Sequence, residues 1–417
     1  MDFSPSPRAQ ELSRLVGEFV DTEIVPRQEE YHRDLRARRG TPEMWTEHPL
    51  MAELRSKARE RGLWNLFLPA GHAGDYARRF GTHGGEGLTN VDYAPLAELM
   101  GRVTDIAPYA MNCNAPDTGN MEVLLKYGTE QQKEQWLEPL LDGRIRSAFT
   151  MTEPGVASSD ATNMQATAVA QGDEVVINGR KWWSSGAGHP DCRILVFMGL
   201  SDPDADRHHR HTMVLVPIDT PGVRVERLLD TMAIQDEPVG HAEISFTDVR
   251  VPATNILLGE GRAFEIAQGR LGPGRVHHCM RLLGQAEVAL ELAIRRGLER
   301  TAFGRPLVKL GGNQERIAEA RMAIDQARLL VLHAAWKLDT GGPLDALSEV
   351  SQIKVVVPNV AQKVIDMAIQ LHGGGGLSSD FPLASMWTNA RALRLADGPD
   401  EVHRGVVARL EIGKYAR

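Results

Sequence analysis

Along residues 8–25 and 49–64, RAQELSRLVGEFVDTEIV and PLMAELRSKARERGLW, apolar residues recur at i, i+3, i+4 and i+7. That spacing lines one face of an α-helix and predicts amphipathic helices there. NMEVLLKYGTEQQKEQWLEPLLDG (120–143) continues the pattern and closes on Gly143, a helix stop. The intervening GHAGDYARRFGTHGGEG (71–87) is rich in glycine and predicts a loop.

The texture changes at residue 149. ATAVAQ, EVVINGRKWW, RILVFMGL, TMVLVPI, GVRVERL and AEISFTDVRVP are short and β-rich, separated by QGDE, SDPDAD and DTPG. Strands in such close succession predict antiparallel β structure, a small barrel or sandwich. Beyond NILLGEG three long helical runs follow, at 275–304, 314–342 and 347–376, each near the length used in bundles. Pro358 is expected to kink or break the third. No segment repeats at a fixed period, which excludes a solenoid. The order is α, then β, then α, and predicts three domains: 1–148 helical, 149–257 β, 258–417 helical.

A chain of 417 residues exceeds one ordinary core, and 42% apolar with 24% charged residues is the balance of a soluble globular protein. The net charge of −8 argues against non-specific binding to nucleic acid, which needs a basic face. Cys113, Cys192 and Cys279 are scattered, so neither a disulfide framework nor a zinc motif is expected. The opening MDFSPSPRAQ lacks an apolar core and reads as neither signal nor transit peptide. No apolar run reaches the roughly 20 residues of a membrane span. A cytoplasmic location is the simplest expectation.

Five segments carry candidate chemistry. FTMTEPGVASSD (149–160) offers backbone N–H and hydroxyl groups without bulk, suited to a flavin edge or diphosphate, or simply to a turn before a strand. NGRKWWSSGA (178–187) places two tryptophans side by side on a strand. Strand neighbours face opposite sides, so only one of Trp182 and Trp183 is expected to line a pocket, with Ser185 as a nearby donor. RTAFGRPL (300–307) sets Arg300 and Arg305 around an aromatic, for phosphate oxygens or for a helix C-terminus. QLHGGGGL (370–377) has four glycines where one would stop the helix, which suggests a close approach to the backbone. In LRLADGPDEVHRG (393–405) three carboxylates, Asp397, Asp400 and Glu401, crowd one Gly-Pro. His277, His278 and Cys279 are consecutive on a predicted helix and fan out, while HHRH (208–211) reads as a solvated loop, so no metal site is expected. Dinucleotide-binding, P-loop and nucleophile-elbow motifs are missing.

Taken in order and spacing, TEP with small residues and SD, NG-x-K-x-W, R-x-x-FG-x and Q-x-x-GG-x-G resemble the acyl-CoA dehydrogenase family over nearly the whole chain. LADGPDEVH resembles the branch that includes the mammalian long-chain members carrying an extra kinase-like domain. This chain begins directly with the first helical block, so that domain is not expected in it. The resemblance implies an N-terminal all-α domain, a middle antiparallel β-barrel or sandwich and a C-terminal four-helix bundle.

It also implies non-covalent FAD and α,β-dehydrogenation of an acyl-CoA. A carboxylate takes the α-proton while the β-hydride passes to flavin N5, and hydrogen bonds meet the charge growing on the thioester oxygen. By position the resemblance makes Asp397 the base, followed by Gly398, with Asp400 and Glu401 secondary. Burial beneath flavin and acyl chain is expected to raise the carboxyl's pKa. Phe149, Met151, Thr152, Ser158 and Ser159 correspond to residues at the flavin ring and phosphates, Trp183 and Ser185 to its reactive edge. Arg300, Phe303, Gln314, Gln370, Gly373 and Gly374 correspond to residues that bind the diphosphate and adenine, in the family from a neighbouring subunit, which implies a homodimer or homotetramer. Arg275 takes the place of an arginine at the CoA site, and the backbone N–H of Asp397 that of a donor to the thioester oxygen. An electron-transfer flavoprotein is the family's usual electron acceptor, with oxygen the alternative.

Three departures stand out. The base is Asp where much of the family has Glu, so the backbone must stand closer. The 149–160 loop is one residue longer than usual, with Ser158 in place of a glycine. Pro399 and Glu401 replace a hydroxyl and an amide that often touch the FAD phosphates, leaving backbone contacts there. The aspartate keeps nitroalkane oxidation open as a rival reaction, which Arg275 disfavours. A non-catalytic flavin-binding module is disfavoured by the carboxylate and the intact flavin segments.

Overall fold

The computed structural model describes residues 2–81 and 87–416. Its principal helices are α1 (Pro7–Phe19), α2 (Gln28–Arg38), α3 (Pro49–Glu60), α4 (Gly74–Phe80), α5 (Asn90–Gly101), α6 (Asp117–Tyr127), α7 (Ala263–Glu299), α8 (Asn313–Asp345), α9 (Leu347–His372), α10 (Leu383–Ala392) and α11 (Asp400–Gly413). Seven strands make one sheet: β1 (Arg146–Thr150), β2 (Thr167–Gln171), β3 (Glu174–Ser185), β4 (Cys192–Leu200), β5 (His211–Pro217), β6 (Val223–Leu229) and β7 (His241–Pro252). The glycine-rich segment 71–87 is thus not all loop. Gly74–Phe80 forms a helix, and residues 82–86 lie outside the described residues.

The chain divides into two compact units. One comprises the chain up to Pro26, Leu88–Pro108 and everything from Gly274; the other comprises Arg27–Gly87 and Tyr109–Pro273.

In the first unit α1 starts where Ser6 accepts a hydrogen bond from the Ala9 N–H and Pro7 opens the first turn. Helices α5 and α7 cross backbone to backbone. A Cβ on Gly101 would overlap the Arg281 carbonyl, and one on Gly284 would overlap that of Glu98. Helix α9 buries Val350, Ile353, Val357, Ala361, Val364, Ile365, Ala368 and Leu371, a stripe at helical spacing. Pro358 sits inside that stripe, and α9 continues past it as one helix, so of the expected kink or break the break does not occur. Proline costs one backbone hydrogen bond there, and burial of the stripe outweighs it. The break falls instead in α8, at Gly342, whose φ of 78° only glycine adopts easily.

In the second unit the sheet order is β1-β4-β2-β3-β7-β6, with β5 also paired to β4. It is not wholly antiparallel: β1 runs parallel to β4, and β2 meets β4 in parallel at Thr167 and Leu200. Strands β4 and β5 are buried on both faces, which explains their unbroken apolar runs. Ile177, Leu195, Val214 and Ile244 fill the core, with Phe197 and Phe246 edge to face at 4.8 Å. Strand β6 ends the order and carries Arg224, Glu226 and Arg227 outward, a charged edge that discourages further pairing. His211, expected in a solvated loop, begins β5 and is buried, its Nε2 3.2 Å from the Met164 carbonyl.

Among the described residues no helix is long and apolar enough to cross a membrane.

Candidate active site

The three carboxylates of residues 397–401 have separate fates. Asp400, buried at the start of α11, is ion-paired to Arg394 at 2.8 Å and accepts from Asn359 Nδ2 at 3.1 Å. Glu401 is exposed, near Arg404. Asp397 is half-buried, and its Oδ2 is 3.7 Å from His278 Nε2 on α7. Of the three, Asp397 is the one that is neither buried nor fully exposed.

The loop that carries Asp397 is held by its carbonyls. Arg275 Nε donates to the Asp397 carbonyl oxygen at 3.0 Å, and His403 Nε2 lies 3.2 Å from the same atom. Lys354 Nζ donates to Leu393 O at 2.5 Å and reaches Gly398 O at 3.4 Å. Asp397 has φ 56°, a left-handed conformation that aspartate tolerates better than most residues, and Gly398 follows at φ 103°. A side chain at Gly398 would run into His403 Nε2, 3.0 Å away, so the glycine is required twice over. Burial, with Arg275 and Lys354 nearby, pushes His403 down to about 4. The ring is then neutral at pH 7, with its one N–H on the nitrogen that meets the carbonyl.

In the second unit the 149–160 loop is stitched to β3. The Trp182 N–H donates to Thr152 O at 2.9 Å, and Lys181 Nζ donates to Met151 O at 2.9 Å and to Glu153 Oε1 at 2.7 Å. Glu153 also accepts from the N–H groups of Gln165 and Ala166. Lys181 is fully buried, which pushes its pKa down to about 8 against the pull of Glu153. The TEP and NG-x-K-x-W segments are therefore the two halves of one buried ion pair, and the loop's place depends on it.

At the tryptophans the pairing of β3 with β7 slips between Lys181 and Ser184, and Trp183 takes φ 54°. Regular alternation, the premise of the sequence argument, fails at this bulge. Trp183 emerges 40% exposed, 5.5 Å from the His241 ring, and Ser185 Oγ is 2.8 Å from His241 Nδ1. Phe149, Met151 and Thr152 are half-buried and Ser159 is exposed. Ser158 Oγ accepts from the Glu153 N–H at 2.9 Å, so its hydroxyl closes the loop.

Arg300, Phe303, Gln314, Gln370, Gly373 and Gly374, all in the first unit, are exposed. Phe303 is 94% exposed at φ 51° in the tight hairpin Thr301–Pro306, an aromatic left bare among the described residues. A Cβ on Gly374 would meet no described atom within 4 Å, so packing among the described residues does not explain the glycine. These features fit a dinucleotide flavin: an exposed indole and hydroxyls for the ring, an exposed guanidinium for phosphate, and bare backbone for close approach. Pro399 is half-buried and Glu401 points into solvent.

Sequence reasoning missed four residues of the loop's surroundings: His278, Arg281, Lys354 and His403. Lys354 had a signal, a lone lysine within the apolar stripe of α9. His278 was dismissed as part of a metal cluster, without weighing a carboxylate partner over a hundred residues away.

The chain is similar to known proteins over nearly its whole length. Residues 6–144, 148–249 and 261–411 match the N-terminal, middle and C-terminal domains of acyl-CoA dehydrogenases. FadE2 of Mycobacterium tuberculosis, named a probable acyl-CoA dehydrogenase, is 52% identical over 99% of this chain and 98% of its own. Mouse acyl-CoA dehydrogenase family member 10 is 51% identical over 99% of this chain, which spans 38% of that longer protein. A solved structure from Mycobacterium abscessus, assigned to the acyl-CoA dehydrogenases, has a TM-score of 0.93 at 65% identity and covers 99% of this chain and 100% of that one. The chain belongs to the acyl-CoA dehydrogenase family, FAD-binding oxidoreductases.

Proposed function

We propose that this protein dehydrogenates an acyl-CoA thioester to the trans-2-enoyl-CoA, with Asp397 as the base. The observation that carries the reading is the separation of the three carboxylates: Asp400 is locked to Arg394, Glu401 is solvated, and Asp397 is half-buried on a loop held by Arg275, Lys354 and His403. A thioester α-proton is weakly acidic, so its removal needs a fixed carboxylate and donors for the charge that moves to the carbonyl oxygen. Asp397 accepts that proton on its carboxylate, and its backbone N–H supports the thioester oxygen. Arg275 anchors the loop through Nε and stands at the CoA side beside Gly398. FAD, when bound, supplies the acceptor for the β-hydride.

Phe149, Met151, Thr152, Ser158, Ser159, Trp183 and Ser185 would hold the flavin ring and adjoining phosphate. Arg300, Phe303, Gln314, Gln370, Gly373 and Gly374 would hold the nucleotide end in a neighbouring copy, in a dimer or tetramer. The bare exposure of Phe303 supports that arrangement. Electrons would leave to an electron-transfer flavoprotein.

The test is flavin bleaching. The purified yellow protein should lose its flavin absorbance on adding an acyl-CoA and keep it on adding a nitroalkane. Asp397→Asn should retain FAD and lose the bleaching, because an amide cannot accept the proton. Bleaching by the nitroalkane alone would turn the reading to nitroalkane oxidation, for which an aspartate base also serves.

A further inference from the structure

On one face of α7, Arg275, His278 and Arg281 follow at intervals of three, so their side chains line the same side of the helix. Arg275 meets the carbonyl of Asp397, whereas His278 meets its carboxylate, Nε2 to Oδ2 at 3.7 Å. That distance is about half an ångström beyond hydrogen-bond length, within reach of a small side-chain rotation. On the other side of the ring, Arg281 Nη2 lies 3.3 Å from His278 Nδ1.

A guanidinium only donates, so at this contact Nδ1 accepts. The single N–H of the neutral imidazole is then on Nε2, the nitrogen turned to Asp397. Arg281 is buried, which fixes its guanidinium beside Nδ1.

We propose that His278, held by Arg281 as the Nε2–H tautomer, is a positioning residue that donates to Asp397 and aims its carboxylate. The inference rests on Asp397 being the base. Lys354 on α9, Cys279 and Arg275 on α7 and His403 on α11 also surround Asp397, and all remain in the variants below, so a change reports on His278.

The experiment follows flavin reduction in the FAD-loaded enzyme by butyryl-, octanoyl- and palmitoyl-CoA against pH. A donor to the carboxylate favours its ionised form, so losing the donor moves the acidic limb of the profile upward. His278→Phe should slow reduction about 10- to 100-fold and raise that limb by about one pH unit, with FAD content kept. His278→Gln, which retains an N–H donor, should recover most of the rate. A parental rate in His278→Phe beside an inactive Asp397→Asn overturns the role of His278 and leaves the base standing. A uniformly lower rate with an unmoved limb marks lost packing and also overturns it. A parental rate in Asp397→Asn removes the base and this inference together.

Discussion

The ammonium of Lys354 donates to the carbonyl oxygen of Leu393 at 2.5 Å from within the apolar stripe of its own helix. Burial lowers the lysine's pKa, yet the side chain also reaches Gly398 O, so one buried cation spans the loop that presents Asp397.

Lys354→Met should leave those carbonyls without their charged donor, at a cost of about 1.5–3 kcal/mol. Urea unfolding reads the loss, and flavin reduction by acyl-CoA should fall further than stability alone explains. An unchanged midpoint would mean that water takes over both carbonyls.

Acid should destabilise the fold through two buried histidines. His277, packed edge to face with Tyr93, is pushed down to about 3 by burial, and His403 to about 4. The unfolded chain takes up these protons near the ordinary 6.5, the folded chain only near 3 to 4. Protons therefore favour unfolding across that interval, and stability present above pH 6.5 drains away as pH falls toward 4. His277→Phe should flatten the decline of Tm with acid; an equally steep decline would clear His277.

Lys181→Met should strand Glu153 as a buried carboxylate beside its two backbone donors, costing about 3–5 kcal/mol. Because the same lysine ties Met151 to β3, retention of FAD on gel filtration should fail before the fold does. A variant that melts earlier but keeps its flavin would separate the ion pair from the cofactor loop.

Gly374→Ala offers a test of the opposite kind. The new methyl meets no atom of the described residues within 4 Å, so Tm should hold. FAD should be retained more weakly, since the methyl occupies space reserved for a ligand. Full retention would show that the glycine serves the turn alone.

Much of this was readable beforehand. Helical periodicity located the long helices, apolar runs located β4 and β5, and LADGPDEVH pointed to the carboxylate now found on the held loop. What escaped were features decided by partners distant in sequence. The parallel pairing of β1 with β4 leaves no local mark. A period-two reading of NGRKWWSS could not foresee a bulge fixed by Thr152 and Lys181. Pro358 carries a helix-breaking propensity that burial along α9 overrides, and Gly74–Phe80 is short enough for its flanking glycines to mask it. His278 and Lys354 show their purpose only once α7, α9 and the 393–398 turn are assembled.

The glycine crossing of α5 and α7 has a mechanical corollary. Arg275, His278 and Arg281 ride on one rigid rod whose seat is set by Gly101 and Gly284, two positions with no chemistry of their own. Any bulk added at that fulcrum must tilt the rod and swing all three side chains at once, so a silent-looking swap at a remote crossing would surface at the turn that carries Asp397.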